Sequence, residues 1–231
     1  MASSIEALGL SPEVRQAAVA ARADLVRYGR KLAADRLVIG SAGNLSVRVG
    51  DLVVITPSGV DYGDIGEEGI CVVDASGQQV AGRGRPSSEY PMHRMIYDTS
   101  PDAGAVVHTH SVAAVAASVT CDEIPAVHYS ILRLGGPTVR VAPYATFGSG
   151  ELARSAAGAL DGRYAALLQN HGVIAYGSAL ADAYARAELV EWLAEVWARS
   201  RHLGEPRILD DAELASVARQ AERRRYVQAG G

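Results

Sequence analysis

The sequence is poor in lysine and cysteine. Among its 231 residues, Lys31 is the single lysine and lies within a predicted helix, and Cys71 and Cys121 are the two cysteines, without CxxC spacing. One helical lysine argues against catalysis through a lysine Schiff base. Two isolated cysteines are too few for a disulfide scaffold, so we expect two reduced thiols.

The sequence also has no excess of basic residues and no long apolar run. Its 22 Lys and Arg against 26 Asp and Glu give a net charge of -4, which argues against binding to a nucleic-acid backbone. The longest run without charge, residues 103–121, contains His108 and His110 and does not predict a membrane span. The first residues, MASSIEALGL, lack the basic start and apolar core of a secretory signal. We therefore expect a cytoplasmic protein that binds neither nucleic acid nor membrane.

Helical and strand-like patterns follow one another without an internal repeat or linker. Ser11, Pro12 and Glu13 form a helix start, and short β-rich runs from residue 45 to residue 81 predict antiparallel hairpins. Strands and helices then alternate to residue 203, and a last helix begins at Asp210 or Asp211. These patterns predict one α/β domain over residues 1–231, with a mostly antiparallel central sheet sandwiched by helices.

Three histidines form the first candidate site. The stretch AVVHTH predicts a strand over residues 105–110, in which His108 and His110 point to the same face. His171 lies in the turn-like sequence QNHG between two apolar runs. Three imidazoles leave one position of a tetrahedral zinc ion for water, carboxylate or substrate. The alternative is that these are ordinary polar residues, which is the interpretation we favour for the remaining histidines, His93, His128 and His202.

An acidic residue and three turn-like loops form the second candidate site. Glu89 follows Ser87 and Ser88, which either cap a helix or bind an anion through hydroxyls and free backbone N–H groups. The loops SAGN (41–44) and TPSG (56–59) have similar chemistry, although each is also consistent with an ordinary turn. Glu89 is either an exposed acid of a first helical turn or, beside a metal ion, a general base.

Seven motifs in order resemble the class II aldolase and adducin family: GNLSVR, ITPSG, PSSE, VVHTH, IPAVHY, APYATFGSGEL and LLQNHGVIA. The resemblance extends from about residue 20 to residue 205. Members of the family include aldolases, 4-epimerases, dehydratases, decarboxylases and the non-catalytic head domain of adducin. The resemblance therefore implies the fold and a metal site more directly than it implies one reaction.

The resemblance implies a role for individual residues. His108, His110 and His171 would bind Zn²⁺, and Glu89 would be a fourth ligand that substrate displaces and that then acts as acid and base. Tyr129 would reach the active site of a neighbouring subunit and protonate the aldehyde partner. The substrate phosphate would be bound by Asn44, Ser58, Gly59, Ser87 and Ser88, and the aldehyde pocket would be lined by Phe147 and Tyr226.

The same resemblance implies an assembly and a reaction. We expect a homotetramer with active sites at its subunit interfaces and with the C-terminal helix and tail, residues 205–231, at such an interface. We expect reversible cleavage of L-fuculose 1-phosphate, or a similar ketose 1-phosphate, to dihydroxyacetone phosphate and L-lactaldehyde through a zinc-stabilised enediolate.

Other reactions of the family stay open on the sequence. The 4-epimerases generally carry Asp at the position of Glu89 and use a C-terminal histidine, whereas no histidine follows His202 here. Dehydratases and decarboxylases share the glutamate and the zinc site more often. A non-catalytic module like adducin is disfavoured by the intact histidines and Glu89.

Overall fold

A large sheet covered by helices forms the centre of the fold. The computed structural model describes residue 5 and residues 9–229, and the side chains of residues 224–229 lie outside that description. The principal helices are α1 (Pro12–Ala34), α2 (Tyr90–Thr99), α3 (Val112–Ser118), a 3₁₀ helix (Tyr129–Leu134), α4 (Gly150–Ala159), α5 (Leu180–Leu203) and α6 (Asp211–Ala229). The strands are β1 (Asn44–Val49), β2 (Leu52–Ile55), β3 (Cys71–Val73), β4 (Gln79–Ala81), β5 (Ala105–Thr109), β6 (Glu123–Ile124), β7 (Val139–Ala142), β8 (Ala165–Leu168) and β9 (Gly172–Gly177).

The order of the strands places β1, β5 and β9 side by side in the middle of the sheet. The order is β4-β3-β2-β1-β5-β9-β8-β7-β6. Strands β7 and β8 are parallel, and the other neighbouring pairs are antiparallel. The predicted α/β class with a mostly antiparallel sheet is therefore confirmed. Because the central strands are antiparallel, the start of β1, the end of β5 and the start of β9 lie together at the same end of these strands.

Successive residues of the central strands face two separate apolar layers. Val54 and Val107 belong to the layer that includes residues of α1, α3 and α5, whereas Val53 and Val106 belong to the layer that includes residues of α2 and α4. This division arises because neighbouring side chains of a strand point to opposite faces. Helices cover both faces of the sheet, as predicted.

The length and composition of the helices can be compared with those of a membrane-spanning helix. Within the described residues, no helix combines the length and the apolar composition needed to cross a membrane. The longest helix, α5, has 24 residues and carries Asp182 in its first turn and Arg201 and His202 in its last turn.

Two short elements were not predicted from the sequence. Glu123–Ile124 forms the strand β6, and Tyr129–Leu134 forms the 3₁₀ helix. Segments of this length show neither a helical nor an alternating period, so pattern analysis does not detect them. Strand β5 also ends at Thr109, one residue before its predicted end.

The start of α2 differs from the prediction that Ser87 and Ser88 cap it. The helix begins at Tyr90, and Glu89 is its N-cap residue, without a capping hydrogen bond from its side chain. The Oγ of Ser87 accepts a hydrogen bond from the backbone N–H of Glu89 at 3.2 Å, in the turn before the helix. The interpretation of these serines as helix caps is therefore wrong, and the Glu89 side chain is available for other contacts.

Candidate metal centre

The histidines meet where the central strands meet. His108 of β5 is paired in register with Asn44 of β1 on one side and with Ile174 of β9 on the other. His110 follows the end of β5, and His171 immediately precedes β9. The antiparallel pairing of β5 with β9 thus brings together side chains that are distant in sequence.

Next to these histidines, the backbone leaves no room for a side chain at two glycine positions. A Cβ atom on Gly172 would lie 2.1 Å from the carbonyl oxygen of Thr109, so only glycine allows β9 to approach β5 this closely. Gly43 has φ +76°, and a Cβ there would lie 2.6 Å from the carbonyl oxygen of His108. Two glycines therefore set the spacing of the strands that carry the cluster.

The three imidazole rings form a compact, nearly perpendicular group. The ring centroids of His108 lie 4.7 Å from His110 and 4.8 Å from His171, and those of His110 and His171 are also 4.8 Å apart. The Nε2 atoms of His108 and His110 are 2.9 Å apart. The possible ligand atoms of Glu89 and the three histidines all lie within 4.8 Å of one another.

The orientation of His108 is fixed by a backbone carbonyl. Its Nδ1 lies 2.7 Å from the carbonyl oxygen of Val173, which can only accept a hydrogen bond. Nδ1 therefore carries a proton, and Nε2 points at the cluster. Against the effect of burial, Glu89 raises the pKa of His108, so that Nε2 donates to the carboxylate in the charged ring, whereas the same nitrogen has a lone pair for a metal ion once its proton is lost. Such a hydrogen bond on the opposite nitrogen is typical of histidines that bind metal ions.

Glu89 completes the cluster as a buried carboxylate. Glu89 is only 6% exposed. Its Oε2 lies 3.0 Å from Nε2 of His108, and its Oε1 lies 3.3 Å from Nε2 of His171. Burial raises the pKa of Glu89, but the charge of His108 and hydrogen bonds from His108 and Asn44 hold that pKa well below its ordinary value. Glu89 is therefore a buried ion, and the alternative of an exposed acid in a first helical turn is wrong.

The residues of the cluster fit a divalent metal ion. Burial and the charge of His108 lower the pKa of His110 to about 3, and burial and the same charge lower the pKa of His171 to about 4. Both rings are thus neutral near pH 7, as metal binding requires. Oε1 of Glu89 is buried and makes no hydrogen bond within the described structure, which leaves an electron-pair donor for a cation. The chemistry of the set, three imidazoles and one carboxylate, suits zinc and similar ions.

A cleft of about 410 Å³ opens beside the cluster. Five residues that the resemblance assigns to the phosphate line it, namely Asn44, Ser58, Gly59, Ser87 and Ser88. However, the backbone N–H of Ser58 donates to the carbonyl of Arg85, and that of Ser87 donates to the carbonyl of Thr56. The expectation of free backbone N–H groups is therefore wrong at these two serines, where the hydroxyl groups are the available donors.

The aromatic residues named from the sequence lie in three different places. Phe147 lines the cleft and is 68% exposed, and Tyr144, which also lines it, is 60% exposed. Tyr129 is 54% exposed, stacks on His128 with ring centroids 4.3 Å apart, and does not line the cleft of its own chain. Tyr226 belongs to α6, but its side chain lies outside the described residues. The roles of Tyr129 and Tyr226 at a subunit interface stay predictions.

The sequence interpretation missed the environment of Asn44 and His93. Asn44 Nδ2 donates to Glu89 Oε2 at 2.9 Å, and Asn44 Oδ1 lies 2.5 Å from Nε2 of the fully buried His93. Assigning Asn44 to the phosphate alone overlooked this contact. The spacing of Glu89 and His93, four residues apart at the start of one helix, was the available signal that they share a face.

Comparisons with known proteins agree with the family resemblance of the seven motifs. Residues 23–198 match the family model described as Class II Aldolase and Adducin N-terminal domain. The chain is 42% identical over 199 residues to a 5-methylthioribulose-1-phosphate/5-deoxyribulose-1-phosphate aldolase from Rhodospirillum rubrum, covering 86% of this chain and 90% of that protein. It is 43% identical over 179 residues to L-fuculose phosphate aldolase from Escherichia coli, covering 77% and 83%.

The similarity extends to solved structures. A structure of L-fuculose 1-phosphate aldolase matches with a TM-score of 0.83 and 40% identity, covering 92% of this chain and 98% of that one. Enzymes of this family use a divalent metal ion, in agreement with the cluster of Glu89 and three histidines. The chain therefore belongs to the class II aldolase and adducin family, as one of its enzymes.

Proposed function

We propose that the protein is a zinc-dependent aldolase that reversibly cleaves a ketose 1-phosphate to dihydroxyacetone phosphate and a short aldehyde. The observation that carries the proposal is the position of Glu89, which touches two histidines of the cluster and also lines the cleft. An ionised carboxylate at the border between a metal site and a substrate cleft is placed to exchange a proton with a bound molecule.

The proposed roles divide between charge stabilisation and proton transfer. Zinc, held by His108, His110 and His171, would stabilise negative charge that develops on the substrate's carbonyl oxygen. Glu89 would also hold the metal in the resting protein, and we assign it the transfer of the proton at carbon 3. An imine cannot serve as the electron sink, because Lys31 is the single lysine of the chain. Lys31 pairs with Asp35 at the end of α1, and α1 covers the face of the sheet opposite to that covered by α2, which follows Glu89.

The bond changes of the cleavage balance without another reactant. In the direction of addition, the carboxylate of Glu89 takes a proton from carbon 3 of dihydroxyacetone phosphate, a bond forms between that carbon and the aldehyde carbon, and the aldehyde oxygen gains a proton. Cleavage reverses these changes, and proton exchange with water returns the protein groups to their starting states. Tyr129, contributed by a neighbouring subunit of the expected homotetramer, is the group we propose for the proton at the oxygen of carbon 4.

The cleft offers two kinds of lining for the two ends of a substrate. Ser58, Ser87 and Ser88 bring hydroxyl groups to it, and Tyr144 and Phe147 bring aromatic surface. We propose the serine hydroxyls, Gly59 and Asn44 for the phosphate, and Phe147, together with Tyr226, for the aldehyde.

Two ketose 1-phosphates are the substrates to compare first. L-Fuculose 1-phosphate would release L-lactaldehyde, and 5-deoxyribulose 1-phosphate would release acetaldehyde, with dihydroxyacetone phosphate as the shared product. Relatives of comparable similarity are named for each of them. We propose L-fuculose 1-phosphate as the substrate and 5-deoxyribulose 1-phosphate as its closest competitor.

A coupled assay for dihydroxyacetone phosphate tests this function. We expect zinc-loaded protein to release it from at least one of the two substrates, chelator to abolish the release, and added Zn²⁺ to restore it. The ratio of the two kcat/KM values decides between the substrates. Absence of release from a protein that holds one zinc per chain would overturn the aldolase proposal.

A further inference from the structure

A chain of buried polar side chains leads from Glu89 into the core between β1 and α2. Asn44 Nδ2 donates to Glu89 Oε2 at 2.9 Å, and Asn44 Oδ1 lies 2.5 Å from His93 Nε2. His93 Nδ1 lies 2.7 Å from Ser46 Oγ, which lies 2.7 Å from the hydroxyl of Tyr97. All five residues are buried.

Strand and helix periods bring this chain together. Asn44 and Ser46 are two residues apart on β1, so their side chains point to the same face. Glu89 and His93 are four residues apart at the start of α2, so they also share a face. These faces of β1 and α2 pack against each other. Along the hydrogen-bond chain, each side chain from one element is therefore followed by a side chain from the other.

The direction of every hydrogen bond in the chain follows from Glu89. A carboxylate only accepts, so Asn44 directs its NH₂ group to Glu89 and its carbonyl oxygen to His93. Nε2 of His93 must then carry the proton. The ring is fully buried, which favours its neutral form, and in that form Nδ1 is an acceptor. Ser46 therefore donates to His93, and Tyr97 donates to Ser46, so that all donors point toward Glu89.

We propose that His93 is a positioning residue of the metal centre, which fixes the orientation of the Asn44 amide and, through it, the carboxylate of Glu89. The consequence for catalysis rests on the proposed function, in which Glu89 transfers a proton. Asn44 is correspondingly a positioning residue for Glu89, and its second Nδ2 hydrogen can serve a ligand in the cleft.

Loss of the His93 donor would remove one of the two hydrogen bonds that hold the Asn44 amide in place. Asn44 Oδ1 would become a buried acceptor without its donor, which is costly. The amide would then be held only by its contact with Glu89 and could rotate about its side-chain bonds toward another donor. The carboxylate would thereby lose a fixed donor at the atom that faces His108.

The first test reads the tautomer of His93 directly. Nitrogen-15 spectra of histidine-labelled protein, with and without zinc, are assigned to His93 by the signal that disappears in His93→Gln. We expect a protonated Nε2 and an unprotonated Nδ1 at neutral pH. A protonated Nδ1, in either the other tautomer or the imidazolium, would overturn the proposal. This readout needs no catalytic activity.

The second test compares three variants of α2. His93→Leu removes the donor, whereas the amide of His93→Gln can still donate to Asn44 Oδ1. We expect His93→Leu to lower kcat about 10- to 100-fold at unchanged zinc content, with a smaller effect on KM, and His93→Gln to recover most of that loss. Ile96→Val, a fully buried apolar change on the same helix, is the matched control and should retain wild-type kcat.

The outcomes separate a positioning role from a structural one. If His93 only joins α2 to β1, then His93→Leu and His93→Gln will lower the melting temperature without lowering kcat per zinc-loaded chain, and the proposal is wrong. Wild-type protein that shows the expected tautomer but releases no dihydroxyacetone phosphate would instead overturn the proposed function and leave the hydrogen-bond chain standing.

Discussion

At the scale of single residues, Glu89 is unusual because it is both buried and ionised. A buried carboxylate is stable as an ion only when positive charge or hydrogen-bond donors compensate its lost hydration. The charge of His108 and the amide donor of Asn44 supply that compensation in the described structure. The same contacts place the carboxylate against the cleft, so the groups that make Glu89 an ion also hold it where a substrate proton can reach it.

Replacing the carboxylate by an amide tests this role. We expect Glu89→Gln to bind zinc but to exchange the carbon-3 proton of dihydroxyacetone phosphate with solvent at least about 100-fold more slowly, because the proton acceptor is missing. Proton exchange is followed by NMR in deuterated water. Glu151→Gln, a change of an exposed acid in the first turn of α4, is the control. Exchange at a near-normal rate would remove Glu89 as the base.

The histidine cluster predicts one zinc ion per chain. His171→Ala deletes one of three imidazoles that converge within the cluster. Loss of a hydrogen-bond partner of a metal ligand costs up to about 100-fold in metal affinity, so we expect loss of the ligand itself to lower zinc affinity by at least about 100-fold. Zinc content after dialysis measures the change. His202→Ala, at an exposed position near the end of α5, should keep full zinc content. Full zinc content in His171→Ala would refute the ligand assignment.

Residue types and spacing predicted part of the site, for physical reasons. His108 and His110 lie together because alternation along a strand is a local property that the sequence displays. The contact of His93 with Asn44 depends on how α2 packs against β1, and no local pattern encodes that packing. The partner of His93 on β1 therefore became apparent only when the two elements were placed together.

At the scale of elements, the close approach of β5 and β9 controls the geometry of the cluster. The carbonyl of Thr109 occupies the space that a side chain on Gly172 would need. Both strands carry cluster residues at this end, His110 just after β5 and His171 just before β9. A change in the distance between these strands must therefore change the distances between the imidazoles.

Two glycine substitutions should have opposite effects. We expect Gly172→Ala to lower the free energy of unfolding by about 1 to 3 kcal/mol and to weaken zinc binding, because the new Cβ would force β9 away from Thr109. Gly158→Ala, in α4 with nothing within 4 Å of the new Cβ, should raise the stability by about 0.5 to 1 kcal/mol without changing zinc binding. Chemical denaturation measures both, and equal stability of the two variants would contradict this account.

The elements themselves were largely predictable, whereas their arrangement was not. Ser11 and Pro12 indicated the start of α1, and alternating or continuous apolar runs indicated the main strands. The sequence contained no local signal for the order of the strands, because pairing such as that of Asn44 with His108 joins distant segments. Ser87 and Ser88 resembled helix caps, but tertiary contacts of Glu89 with the histidines override that local preference.

At the scale of the whole molecule, several aromatic side chains are exposed on the described surface of one chain. Tyr129 and Trp192 are 54% and 42% exposed, and both rings contact His128. The family resemblance predicts that Tyr129 is covered in a homotetramer and reaches a neighbouring active site.

Assembly and the role of Tyr129 can be separated experimentally. We expect sedimentation equilibrium to give a tetramer for wild type and for Tyr129→Phe, because the ring that packs at the interface is retained. We expect the variant to lose at least about 100-fold in kcat for ketose cleavage, because it lacks the phenolic proton. Tyr164→Phe, which removes a hydroxyl from another partly exposed tyrosine, is the control. A monomer with full activity would contradict the interface assignment.

The pairing of distant strands also determines when the metal centre can form during folding. His108 contacts the carbonyl of Val173, 65 positions along the chain, and Asn44 contacts Glu89, 45 positions away. Contacts of such separation form slowly and late, after β1, β5 and β9 have paired. The metal site therefore requires the native pairing of these strands. We expect zinc to slow unfolding in stopped-flow experiments while leaving the refolding rate unchanged, so that it prolongs the lifetime of the native state rather than guiding the chain toward it.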